Sequence, residues 1–97
     1  MPWSNPTGYV FTESSVRTSA PDRSGVYALY NSQTWIYIGE SGNVRERLLQ
    51  HLGGDNECIS RWNPPTFSYE LVSADQRVAR QNHLIRELNP ACNQRLS

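Results

Sequence analysis

Two β-rich runs separated by four polar residues constrain this chain more than any other feature. Val26-Tyr27-Ala28-Leu29-Tyr30 and Trp35-Ile36-Tyr37-Ile38 flank Asn31-Ser32-Gln33-Thr34, and so short a polar link predicts an antiparallel hairpin. Both runs are apolar at successive positions rather than alternate ones, the pattern of strands covered on each face. The following residues supply a first cover. Gly39-Glu40-Ser41-Gly42 breaks the second strand, and Asn43 caps a helix with Glu46 placed three residues on. Val44, Leu48 and Leu52 recur there at helical spacing, and Gly53-Gly54 ends the helix.

A short helix fits residues 56–62, ahead of the turn at Asn63-Pro64-Pro65. Phe67, Tyr69 and Leu71 then alternate with polar residues, which predicts a third strand with one face covered. A last helix opens at Ser73 to Asp75, with Gln76 completing a second capping-box pattern, and stops before Pro90. Its apolar positions Val78, Ile85 and Leu88 share a face with Gln81, so a polar side chain is aimed at the interior or a cleft. Residues 1–24 are rich in Ser, Thr, Pro and Asn around one apolar island, Tyr9-Val10-Phe11. They read as a polar arm that adds at most an edge strand and is otherwise irregular. Residues 25–97 read as one domain, and 97 residues leave no room for a second.

Charge narrows the function classes. Nine basic residues, all Arg, balance nine acidic ones, which excludes a strongly basic nucleic-acid clamp. The N-terminus shows no basic segment followed by an apolar one, and no stretch approaches membrane-spanning length. Cys58 and Cys92 stand far apart without a CxxC pair. These features predict a soluble, cytoplasmic protein with two reduced thiols, no structural zinc and no membrane partner.

The residues with chemical potential cluster around the hairpin. Tyr27 and Tyr37 are read at corresponding places on its two strands, and Arg47 and His51 lie four apart on one face of the next helix. A strand, a glycine turn and a helix N-terminus together make a place to receive phosphate. Each member alone has a plainer explanation. A strand Tyr is usually core, a helical Arg is usually solvated, and a His near a helix C-terminus complements the dipole. Jointly, two phenols, an imidazole and a guanidinium are the components for phosphodiester chemistry.

That joint spacing resembles the GIY-YIG endonucleases. Gly25-Val26-Tyr27, nine residues, then Tyr37-Ile38-Gly39 and a helix bearing Arg47 carry the likeness. It extends to Asn93 through Leu84-Ile85-Arg86-Glu87-Leu88-Asn89-Pro90-Ala91-Cys92-Asn93. The resemblance implies a small α/β sandwich, with a central three-stranded antiparallel sheet flanked by helices. It implies that Tyr27 and Tyr37 line the active site, with Tyr37 a candidate general base beside the motif glycines Gly25 and Gly39. Arg47 would steady the phosphoryl group, His51 would stand four residues on, and Asn93 would pin the terminal loop. A single glutamate on the last helix would hold one divalent metal, Mg2+ or Mn2+.

Counting back from Pro90, that glutamate position is Gln81. A magnesium ion holds its waters tightly and normally needs a carboxylate anchor, so Gln81 is a doubtful ligand. The expectation is a nuclease-fold domain that binds nucleic acid, DNA first, with metal-dependent hydrolysis impaired or lost: a pseudoenzyme. Arg45, Arg77 and Arg80 would add phosphate contacts. Two other readings stay open. One is an active endonuclease whose metal is held by Glu40, since Glu87 projects from a different helix face than Gln81. The other is a protein-interaction module on a retired nuclease scaffold, using Trp3, Trp35 and Trp62. A lone domain of this size would also need a homodimer or a protein partner to choose its target.

Overall fold

A computed structural model describes residues 7–93; Trp3 lies outside the described residues. Strand β1 (Tyr9–Val10) leads into helix α1 (Glu13–Ser19), hairpin strands β2 (Gly25–Tyr30) and β3 (Trp35–Ser41), and helices α2 (Val44–Leu52) and α3 (Glu57–Trp62). Strand β4 (Thr66–Leu71) and helix α4 (Arg77–Leu88) follow. All four strands pair antiparallel in the order β1-β4-β2-β3, so the expected three-stranded centre gains a short fourth strand at one edge. Among the described residues, no helix is long and apolar enough to cross a membrane.

Strand β2 lies in the middle, with five of its six residues buried. Its alternate residues therefore feed two separate cores. Tyr27 and Leu29 join Phe67, Val16 of α1, Val44 and Leu48 of α2, and Ile59 of α3. Val26 and Ala28 join Ile38 and Leu84 of α4 on the other side. The result is a sheet with α1–α3 on one face and α4 on the other.

The segment read as an irregular arm contains α1. Thr12 caps it through a bond accepted from the Ser15 N–H, the pattern of an N-cap hydroxyl. Val16 and Ala20 are fully buried and Phe11 nearly so. One apolar residue per turn is enough to dock a helix on a core already formed, which is why the polar composition misled.

The other differences have comparable causes. In β4, Ser68 and Glu70 are buried beside Phe67, so both faces are covered. Arg80 of α4 makes this possible, donating to Glu70 at 2.5 Å and 3.1 Å; a buried carboxylate persists only when paired. Helix α4 begins at Arg77, and its N-cap Gln76 makes no side-chain capping bond. Leu84 is its buried anchor, whereas Val78 is 53% exposed. Cys58 and Cys92 form a disulfide, with Cα atoms 5.7 Å apart. The fold brings α3 against the segment after α4, which sequence distance conceals. With the thiols paired, the cysteine argument for a reducing compartment falls away.

Candidate active site

The hairpin register sets the first part of the site. Tyr27 pairs with Gly39, and Tyr37 pairs with Leu29. The two tyrosines are thus diagonal neighbours on one face rather than directly opposite, with ring centroids 6.2 Å apart. Gly39 is required by this arrangement. A Cβ there would collide with the phenol oxygen and ring of Tyr27, so glycine lets the tyrosine lie across the neighbouring strand. Gly25 meets a similar limit, since its Cβ would press on the Glu70 carbonyl.

Helix α2 contributes the second part. Asn43 caps it by accepting from the Glu46 N–H at 3.0 Å. One turn apart, Arg47 and His51 face the hairpin. His51 is 2% exposed, its Nε2 lies 2.7 Å from the Tyr27 hydroxyl, and its ring packs on Tyr27 and Tyr37. On the far side, its Nδ1 lies 2.9 Å from Asp55 Oδ1. Arg47 donates to Asp55 Oδ2 at 2.6 Å and to Gln50 Oε1 at 2.7 Å.

Electrostatics follow from this packing. Burial pushes the Tyr27 phenol far above its ordinary range, and nearby Tyr37 adds to the shift; the Arg47 guanidinium only partly opposes it. Burial also lowers His51, against the pull of Asp55. Burial alone would raise Asp55, but its bonds to His51 and Arg47 hold it below the usual carboxylate value. At neutral pH the site therefore holds a protonated Tyr27, a neutral His51, an ionised Asp55 and a charged Arg47. A carboxylate only accepts hydrogen bonds, so His51 carries its proton on Nδ1 and receives the Tyr27 O–H at Nε2.

The third part is a cleft of about 550 Å³ at the β3 edge of the sheet, lined by Tyr37, Asn56, Gln81, Asn82, Cys92 and Asn93 together with Ile85. Asn93 locks the segment after α4 to β3. Its Oδ1 accepts from the Ile38 N–H at 2.7 Å, and its Nδ2 donates to the Ile38 carbonyl at 2.8 Å.

Other residues singled out in the sequence lie elsewhere. Glu40 accepts from Arg77 at 2.6 Å and does not line the cleft. Arg77 also donates to Ser24, Arg80 to Glu70, and Arg45 to the Ala20 carbonyl. Glu87 stands 3.3 Å from His83 on the helix surface. Trp35 packs with Tyr30 in the α4 layer, whereas Trp62 sits half-exposed at the end of α3. Asp55 went unnoticed in the sequence. Its signal was there: an acidic residue four after His51, just past the Gly53-Gly54 helix stop.

The model of the GIY-YIG catalytic domain matches residues 23–95. This chain belongs to the GIY-YIG family. It is similar to UvrABC system protein C of Hydrogenobaculum sp. (strain Y04AAS1), 52% identical over 52 residues that cover 54% of this chain. The match spans only 9% of that protein's length. Among solved structures, it is similar to the GIY-YIG N-terminal endonuclease domain of UvrC from Thermotoga maritima, bound to its catalytic magnesium. The TM-score is 0.70 at 24% identity, over 81% of this chain and 96% of that domain. A point mutant of the same domain, bound to its catalytic divalent cation, gives 0.71 at 23% identity, over 82% and 96%. At these identities the structural likeness speaks for the shared GIY-YIG fold.

Proposed function

We propose that this domain binds nucleic acid, DNA first, at the cleft beside Tyr37, and that Gln81 disables metal-dependent phosphodiester hydrolysis there. The observation that carries the reading is the place of Gln81: its side chain lines the same cleft as Tyr37 and Asn93. The cleft lining offers a phenol, amides and a disulfide sulfur, and no carboxylate. That neutral donor set does not fit a hard divalent cation, which gives up hydration water for anionic oxygens. Among the described residues, no cluster of three His, Cys, Asp or Glu side chains suits a metal either. Glu40, the substitute ligand, is engaged by Arg77, which speaks against the active-enzyme reading.

Phosphate binding in this reading falls to Arg47, 36% exposed and adjacent to Tyr27 and His51. A guanidinium pairs well with a phosphate through two parallel bonds. The neutral overall charge predicts weak affinity with a shallow salt dependence.

The test is a matched pair, this chain and its Gln81→Glu variant, assayed for plasmid nicking in magnesium and for DNA retention at low salt. Retention by both, with nicking gained only by the variant, is the expected result. Arg47→Ala should weaken retention about tenfold, the scale of one charge-assisted contact. Equal nicking by both members of the pair would refute the role given to Gln81.

A further inference from the structure

We infer that Asp55 is a positioning residue of this site, holding His51 in the tautomer that accepts the Tyr27 proton and steering Arg47 with its second oxygen. The inference rests on the nuclease-site reading and names the residue that prepares it. One carboxylate is shared between two functional groups: Oδ1 meets His51 Nδ1 at 2.9 Å, and Oδ2 meets the Arg47 guanidinium at 2.6 Å. The line from Asp55 through His51 ends at the Tyr27 hydroxyl, 2.7 Å from Nε2. Because an ionised carboxylate has no proton to give, it selects Nδ1–H and leaves Nε2 as the acceptor. Tyr27 then commits its proton to the ring, and its phenol oxygen presents lone pairs to any further donor.

Local structure explains why Asp55 can do this. Gly53 and Gly54 end α2, with Gly54 at φ 91°, so the chain turns back and returns Asp55 to the last turn of the helix it has just left. Asn56 follows immediately as the cap of α3, and Cys58 ties α3 to Cys92. Asp55 is thus held between two fixed helices. The titratable and charged groups facing the imidazole are Tyr27 on β2, Tyr37 on β3, Arg47 on α2 and Asp55 itself.

The experiment is 15N-detected imidazole NMR on the intact protein, Asp55→Asn and Asp55→Glu, without DNA or metal. His51 is expected as the Nδ1–H tautomer in the parent, to lose that form in Asp55→Asn, and to recover it in Asp55→Glu. Its proton affinity should fall about tenfold in Asp55→Asn, because the nearby anion that favours imidazolium is gone. Loss of helix packing alone would not be rescued by the glutamate variant. A parent His51 protonated on Nε2, or a tautomer unmoved in a folded Asp55→Asn protein, would overturn the inference whatever the DNA result. Absence of DNA retention alongside an Nδ1–H ring would instead overturn the functional reading, since the tautomer measurement needs no nucleic acid.

Discussion

The two sides of the sheet spend their charges differently. On the side of β2, β3 and α2, Arg47, His51, Asp55 and Tyr27 form a connected set beside Tyr37, which alone of these residues also lines the cleft. On the α4 side, Gln81 and Asn82 line the cleft, while Arg77 and Arg80 turn away to Glu40 and Glu70 on the sheet. One side pairs its ionised groups with each other around the candidate site, and the other uses them to dock its helix. Helices on opposite faces of one sheet can therefore diverge in role without any change of fold. If Gln81 disables the metal site as proposed, one amide on the α4 side is enough to leave the α2 side without an anionic counterpart.

Restoring the missing charge is the strongest way to break this contrast. Gln81→Glu should raise plasmid nicking in magnesium by about 10³-fold, since a bound metal supplies several kcal/mol of transition-state stabilisation. Chelator should abolish the gain. Next in size is the docking role of α4. Arg80→Ala leaves the buried Glu70 carboxylate without its guanidinium and should cost on the order of 3 kcal/mol in urea denaturation, with DNA retention per folded molecule unchanged. A retention defect without a stability defect would move that arginine pair into the site.

Reducing the Cys58–Cys92 disulfide, which ties α3 to the α4 side of the cleft, should cost about 2 kcal/mol, because the unfolded chain regains the conformational freedom that the link removes. Denaturation with and without reductant measures it.

The smallest effect is in pH. His51 has a folded-state value below its ordinary 6.5, so the unfolded chain binds the extra proton first. Stability should be complete above about pH 6.5 and decline as pH falls through that value toward the folded one. Asp55, held below its ordinary 3.8, adds a second decline in the acid limb for the same reason. His51→Gln should flatten the first step and shrink the second, which Arg47 alone then sustains. Thermal unfolding from pH 8 to 3 separates the two.

Much of the candidate site's layout was legible because its signals are local. The hairpin follows from β-rich runs and a short polar link, and the Arg47–His51 pair follows from one turn of helix. What escaped needed long-range knowledge. Helix α1 was hidden by polar composition, because its burial depends on a core made elsewhere. The covered second face of β4 was invisible, because Glu70 is tolerable inside only through Arg80, ten residues along on another element. Val78, Ile85 and Leu88 defined a plausible apolar face for α4, yet the sheet's position selected Leu84 as the anchor.

Whereas the need for glycine at position 39 came with the strand register, the sequence by itself determined the two strands of the hairpin, the turn-to-turn placement of Arg47 and His51, and the amide at position 81. These depend on backbone periodicity and side-chain identity, which neighbours along the chain already specify. Tertiary structure alone decided that His51 would meet the Tyr27 hydroxyl, that Cys58 would reach Cys92, and that Glu40 would be taken by Arg77. Those meetings depend on where separate elements come to rest against a shared sheet, and packing in three dimensions sets that distance.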